Sequence, residues 1–155
     1  MYNRRLLACR VIFLPMTKKD PGQTIVNAAT ASAQRALLAI VDDDESIRAA
    51  IGSLFRSMGF RTELFGGGAE FLASPNLRRF SCLILDLHMP GMDGLELQRQ
   101  LAAASHPIPI IFVTAFGDET ARERALRGGA VSFLSKPFSE ETLIGAVQSV
   151  IELPS

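Results

Sequence analysis

The sequence predicts an α/β fold from residue 36 onward, a doubly wound parallel sheet of five strands with helices on both faces. Three observations carry this prediction. Five short apolar runs recur between residues 36 and 134, the kind that a strand buried on both faces requires. Five segments with helical spacing or helix-start and helix-stop residues separate and follow them. The two kinds alternate strictly, which favours right-handed crossovers over an open parallel sheet.

The elements follow in order. Residues 36–41 form the first strand. After the acidic cluster Asp42-Asp43-Asp44-Glu45 comes a stripe of Ile47, Ala50, Ile51, Leu54, Phe55 and Met58. Its steps of 3 and 1 trace one face of a helix, and Gly59 is placed to end it. Residues 62–65 are a brief second strand, and Gly66-Gly67-Gly68 turn into a short helix over 69–73. Residues 82–85 are a fully apolar third strand. The loop from His88 to Asp93 carries Pro90 and Gly91, and a helix over 94–104 buries Leu97, Leu101 and Ala104. A fourth strand spans 108–113, a fourth helix 118–127 and a fifth strand 131–134. The last helix runs over 140–152 on Leu143, Ala146, Val147, Val150 and Ile151.

Charge divides the chain in two. The 155 residues hold 16 basic and 16 acidic side chains. Residues 1–35 hold six of the basic ones and a single acid, a net +5; the rest is net −5. The sequence therefore reads as a basic, disordered extension over 1–35 and one domain over 36–153. Met16 offers an alternative start that would remove three of the basic residues. A basic arm touching an acidic partner is the other reading. The two cysteines, Cys9 and Cys82, lie far apart and match neither a disulfide framework nor a zinc site. Cys82 reads as a core thiol. The expectation is a cytoplasmic protein with no membrane span, since no run of about 18 uncharged apolar residues exists.

In doubly wound folds, ligands bind at the carboxyl ends of the strands. The first strand ends in Asp42-Asp43, the third in Asp86 and the fourth in Thr114, while Lys136-Pro137 follows the fifth. At about 4 Å and an effective dielectric near 20, two carboxylates repel by about 4 kcal/mol. Such a set calls for protonation or a cation, and oxygen ligands on an open edge suit Mg²⁺. A metal ion, a carboxylate and a lysine together are equipment for phosphoryl transfer. Lys136 is the only lysine after residue 19, whereas residues 36–155 hold nine arginines. That choice suits a compact point charge.

Plainer readings exist for each residue. Acids at a helix start favour its dipole, which accounts for Asp44 and Glu45 but not for an acidic pair closing an apolar strand. Thr114 fits a cap on the following turn as well as a switch, and Phe133 by itself reads as core. Gly66-Gly67-Gly68 does not follow the first strand and is no dinucleotide loop. The acidic loop after the first strand would repel a flavin phosphate. A phosphatase of the haloacid dehalogenase type needs an acid where His88 stands.

The stretches IVDDDESIR, LILDLHMPGMDG, IIFVTAFGD and AVSFLSKPF resemble the receiver domain of two-component response regulators, and FixJ-like receivers most of all. The resemblance covers roughly residues 35–153. It implies a flavodoxin-like strand order of 2-1-3-4-5. It implies Asp86 as phosphoacceptor, Mg²⁺ held by Asp42, Asp43, Asp86 and the backbone carbonyl of His88, and Lys136 as phosphate counter-ion. It further implies Thr114 as the switch hydroxyl, Phe133 as a switch aromatic that swings inward when Thr114 moves, and a cis Lys136–Pro137 bond. The His88 ring is expected to gate water rather than bind metal.

Such a protein is a phosphoacceptor switch that assists its own phosphorylation, not a conventional enzyme. Its donor would be a sensor histidine kinase or a phosphotransfer domain. The sequence ends at Ser155, and the expectation is a stand-alone receiver that signals to a downstream protein through the face of its fourth helix, fifth strand and fifth helix. Phosphorylation-promoted homodimerisation on that face, and no direct contact with nucleic acid or membrane, complete the reading. The alternatives are a phosphorylation-independent interaction module, or the receiver part of a DNA-binding transcription regulator.

Overall fold

The computed structural model describes residues 36–151. The expectations for the basic extension, Met16 and Glu152 fall outside the described residues. The elements in chain order are β1 (Leu37–Val41), α1 (Glu45–Ser57), β2 (Arg61–Phe65) and α2 (Gly68–Leu72). A single 3-10 turn (Leu77–Arg79) precedes β3 (Cys82–Asp86), α3 (Gly94–Ala103) and β4 (Ile110–Thr114). Then come α4 (Glu119–Arg127), β5 (Ser132–Ser135) and α5 (Glu140–Ile151). All strand pairs are parallel, in the order β2-β1-β3-β4-β5, as the resemblance implies.

Alternation along each strand sends successive side chains to opposite faces. Leu37, Ala39 and Val41 of β1, Leu83 and Leu85 of β3, and Ile110 and Phe112 of β4 share one core with Phe71 of α2, Leu95, Leu97 and Leu101 of α3, and Ala125 of α4. The intervening Leu38, Ile40, Ile84 and Ile111 are also fully buried. Their cover comes from the helices that supply Phe55 of α1 and Leu143 of α5. Three phenylalanines, Phe65, Phe71 and Phe80, meet edge-on or tilted with centroids 5.4–5.9 Å apart, geometry that adds to simple area burial.

Several boundaries differ from expectation for identifiable reasons. β4 begins at Ile110 rather than Ile108 because Pro109 has no N–H to give a ladder; its carbonyl still accepts from Leu83 N at 2.9 Å. β3 and β4 each run one residue further, so Asp86 and Thr114 belong to the strands themselves. β5 starts at Ser132, leaving Val131 exposed. The turn at Leu77–Arg79 carries no sequence signal strong enough to foresee. The α1 stripe is only half covered: Ile51 and Phe55 are buried, whereas Ile47, Leu54 and Met58 are half-buried and Ala50 is exposed. On α5 only Leu143 and Val147 are buried. A groove between these two helices, lined by Ile47, Ala50, Leu54 and Phe138, explains the shortfall.

Gly94 opens α3 directly beneath the end of β3. A Cβ there would stand 2.6 Å from the carbonyl oxygen of Asp86, 2.8 Å from Phe112 and 3.1 Å from Leu87 Cα. Two of these neighbours are backbone and cannot step aside. Gly94→Ala is expected to destabilise the fold by about 2 kcal/mol, the ordinary cost of overpacking. A urea midpoint equal to that of the parent protein would contradict this.

Candidate functional site

The parallel register builds the site. Val41 pairs with Leu85, so the next residues, Asp42 and Asp86, emerge side by side at the carboxyl ends of β1 and β3. Asp86 pairs with Val113, which puts Thr114 one step beyond. Thr114 pairs with Ser135, and the following N–H, that of Lys136, donates to the Thr114 carbonyl at 2.8 Å. β1, β3 and β4 are apolar up to these positions, so the polar residues gather at their carboxyl ends.

Asp42, Asp43 and Asp86 each offer a carboxylate oxygen, and the three lie within 4.8 Å of one another. Asp42 and Asp86 are buried, at 1% and 6% exposure, whereas Asp43 is open to solvent. Lys136 reaches in from the far side. Its Nζ is 3.1 Å from Asp42 Oδ2 and 4.0 Å from Asp86 Oδ1. One ammonium against three carboxylates leaves the pocket about two negative charges in excess, which fits a divalent cation bound by oxygen.

The partners of Asp42 separate it from Asp43. Asp42 Oδ1 accepts from Asp44 N at 2.9 Å, Oδ2 accepts from Lys136, and its main-chain carbonyl accepts from Arg48 Nη1 at 2.7 Å. Asp43 takes no hydrogen bond or ion pair among the described residues, so its lone pairs are free at the rim of the cluster. Helix capping falls to the neighbour. Asp44 accepts from Ser46 N and Ile47 N, so the plain reading of the acidic cluster holds for Asp44 and not for Asp42.

Burial pushes the Asp86 carboxyl up from 3.8 to about 6. The charge of Asp42, and more weakly that of Asp43, adds to this, while the Lys136 ammonium and the Leu87 N–H oppose it. The surroundings of Asp86 therefore disfavour its anion. By contrast Cys82, sealed inside β3, has its thiol pushed up to about 12 by burial, so it remains an inert core residue.

The other expected residues sit as follows. Thr114 is fully buried and its Oγ1 accepts from Phe116 N at 3.3 Å, which is the turn-capping contact. Phe133 is buried, its ring 5.9 Å from that of Phe112. The ring is thus buried while the Thr114 hydroxyl is engaged by its own loop. Gly117 makes this possible, since a Cβ there would fall 2.6 Å from Phe133 Cζ and 2.7 Å from Thr114 Cγ2. His88 turns its ring to the next loop, where Nε2–H donates to the Phe116 carbonyl at 2.9 Å. A carbonyl only accepts, so that nitrogen carries the proton. The Lys136–Pro137 bond is cis.

Sequence reading missed Arg48, Gly117 and the link from His88 to Phe116. Arg48 and Gly117 look ordinary in one dimension, an arginine in a helix and a glycine in a loop. Arg48 acts on a carbonyl six residues back, and Gly117 acts by its closeness to Thr114 and to Phe133 beyond α4.

A family model for the response regulator receiver domain matches residues 38–148. The response regulator protein TmoT of Ectopseudomonas mendocina is 40% identical over 136 residues, covering 88% of this chain and 61% of the relative. The transcriptional regulatory protein FixJ of Bradyrhizobium diazoefficiens is 39% identical over 113 residues, covering 72% and 55%. The crystal structure of FixJ-N aligns with a TM-score of 0.70 at 34% identity, covering 77% of this chain and 96% of that one. The chain thus spans little more than half the length of the curated relatives it matches.

The shift of Asp86 sets a pH dependence of stability. Because its folded value lies above its unfolded one, the native state holds the proton longer, and stability falls as pH rises from about 4 to about 6. Without divalent cations at pH 7, Asp86→Asn is expected to stabilise the fold by up to about 3 kcal/mol. That advantage disappears below about pH 4. Thermal melts in chelator across this range test it, and a pH-independent difference would count against the assigned cause.

Proposed function

The chain belongs to the response regulator receiver domain family, and from that premise we propose that it is a phosphorylation-controlled switch with Asp86 as the acceptor. Receiver domains are phosphoacceptor switches and generally bind Mg²⁺ at an acidic pocket. The single observation that carries the reading to this chain's own residues is the gathering of Asp42, Asp43 and Asp86 within 4.8 Å, faced by Lys136 at 3.1 and 4.0 Å from two of them.

The proposed chemistry follows from these groups. A carboxylate oxygen of Asp86 attacks the phosphorus of a phosphohistidine on a sensor kinase or phosphotransfer domain. The P–N bond breaks, and its electron pair stays on the donor imidazole. Asp43, open and unpartnered, is the first candidate for direct metal ligation, with Asp42, Asp86 and the His88 carbonyl completing the protein's share. Bound Mg²⁺ supplies charge neutralisation on the transferring oxygens. Lys136 shares its charge between Asp42 and Asp86 and is placed to turn it to the new group. Phosphorylation adds about −1.5 to −2 charges, which gives the Thr114 hydroxyl a reason to leave Phe116 N and donate to a phosphoryl oxygen.

The output runs through the face of α4, β5 and α5, where Leu126 and Val131 are 38% and 45% exposed. A downstream protein or a second phosphorylated copy would cover them. A second reading rests on the curated relatives. FixJ is named a transcriptional regulatory protein and the chain spans 55% of it, so the same switch would act in transcription, with a further segment making the nucleic-acid contact. The basic extension and the domain boundaries at residues 36 and 153 remain part of this proposal. Among the described residues, no helix is long and apolar enough to cross a membrane.

With phosphoramidate and Mg²⁺, intact mass should rise by one phosphoryl group. The parent protein gaining nothing, or Asp86→Asn gaining as much, would sink the reading. Mg²⁺ alone should raise the melting temperature, and Asp43→Asn should need far more Mg²⁺ for the same rise. Equal titration curves would remove Asp43 from the metal set. Light scattering should show a larger mass after phosphorylation, with the gain lost in Val131→Glu; an unchanged monomer would dismiss the homodimer.

A further inference from the structure

Helix α4 is held very differently at its two ends. Its apolar anchorage is slight: Ala125 is buried, Ala121 half-buried and Leu126 38% exposed. The first half rests on the switch residues. Asp118 caps it through Ala121 N at 2.7 Å, and Arg122 Nη1 donates to the Phe133 carbonyl at 3.3 Å. Gly117, just ahead of the cap, lies against both Phe133 and Thr114 so closely that no side chain fits.

The second half is fastened to α3. Gln98 is 6% exposed, and its Nε2 donates to the Ala125 carbonyl at 2.9 Å in a fully buried bond. That carbonyl is in the last turn of α4, where intrahelical partners run out, and it also accepts from Ala130 N at 3.0 Å. The Gln98 amide packs flat against the helix end. A Cβ on Gly128 would stand 2.7–2.9 Å from its oxygen, carbon and nitrogen. At φ −79° Gly128 has no conformational need for glycine; a Cβ there would displace the Gln98 amide. A buried polar side chain on an otherwise apolar helix face is costly unless bonded, so this clamp has a specific geometry to defend.

We propose that Gln98 is a positioning residue that pins the C-terminal end of α4, so that the helix answers phosphorylation by turning about that end. The change enters at Thr114, passes through the Gly117 contact and moves the first half of the helix, while Ala125–Ala130 stay on α3. This deepens the switch proposed above and rests on it. It assigns the moving and fixed parts of the output face: Phe116 and residues up to Arg122 travel, and Leu126 stays.

Hydrogen exchange read by mass spectrometry on the full chain tests the pivot, with and without phosphoramidate and Mg²⁺, intact mass being followed in the same samples. In the parent protein, exchange should change over residues 115–122 and stay the same over 124–131. In Gln98→Met, close in shape but unable to donate, the change should spread over 124–131 while phosphoryl gain is retained. A merely stabilising role would raise exchange equally in both states and leave that difference where it was. Phosphoryl gain with equal changes in both halves of the parent helix overturns the pivot alone, whether or not the variant folds. Absence of any phosphoryl gain overturns the underlying switch, and the pivot with it.

Discussion

Lys136 stands between two buried acids that the sheet register forces together, and the site depends on that contact. β1 and β3 must pair in one register to close the core, and that register sets Asp42 beside Asp86. Among the described residues, Lys136 alone ion-pairs with both. The pair is mostly buried, so its attraction is screened less than on a surface. It is also incomplete, since one cation faces three anions. A pocket with every charge matched would bind nothing further; this one is left short by about one divalent ion.

That shortfall is held in place by parts chosen for rigidity. Asp42 is fixed through its main chain by Arg48 and through both carboxylate oxygens by Asp44 N and Lys136. Gly94 lies so close to the Asp86 carbonyl that a Cβ there would stand 2.6 Å from its oxygen. Asp43 is left open. A site of this kind combines a preset frame with one free ligand, which suits a metal that keeps several of its waters. The raised position of Asp86 follows from the same frame, because burial and like charge act before any cation arrives.

The part proposed to move lies beyond β4. Contacts there are made by glycine, alanine and single hydrogen bonds: Gly117 on Phe133, Ala125 against Gln98 of α3, Arg122 on the β5 backbone. Few buried contacts mean low local stability, the condition for a helix that shifts at modest cost. Where α1 and α3 bury phenylalanine and leucine, α4 buries only Ala125 and is held by the Gln98 amide of α3.

Sequence by itself determined the alternation of strands and helices, the apolar identity of β1, β3 and β4, and the presence of acids, a threonine and a lone lysine at strand ends. These are local: period, capping residues and composition are readable within a dozen positions. Tertiary structure alone decided which of those groups touch. It made Asp42 a partner of Lys136, whereas the helix cap at Asp44 and the turn cap at Thr114 were already legible as local readings. It put the Phe133 ring inside beside Gly117. It made Gln98, one polar residue on a mixed helix, the buried clamp on α4. The physical reason is that each of these contacts joins segments far apart in the chain, 27 residues for Gln98 and Ala125 and 94 for Asp42 and Lys136. Register and crossover geometry set such distances, and neither is written in the neighbours of any one residue.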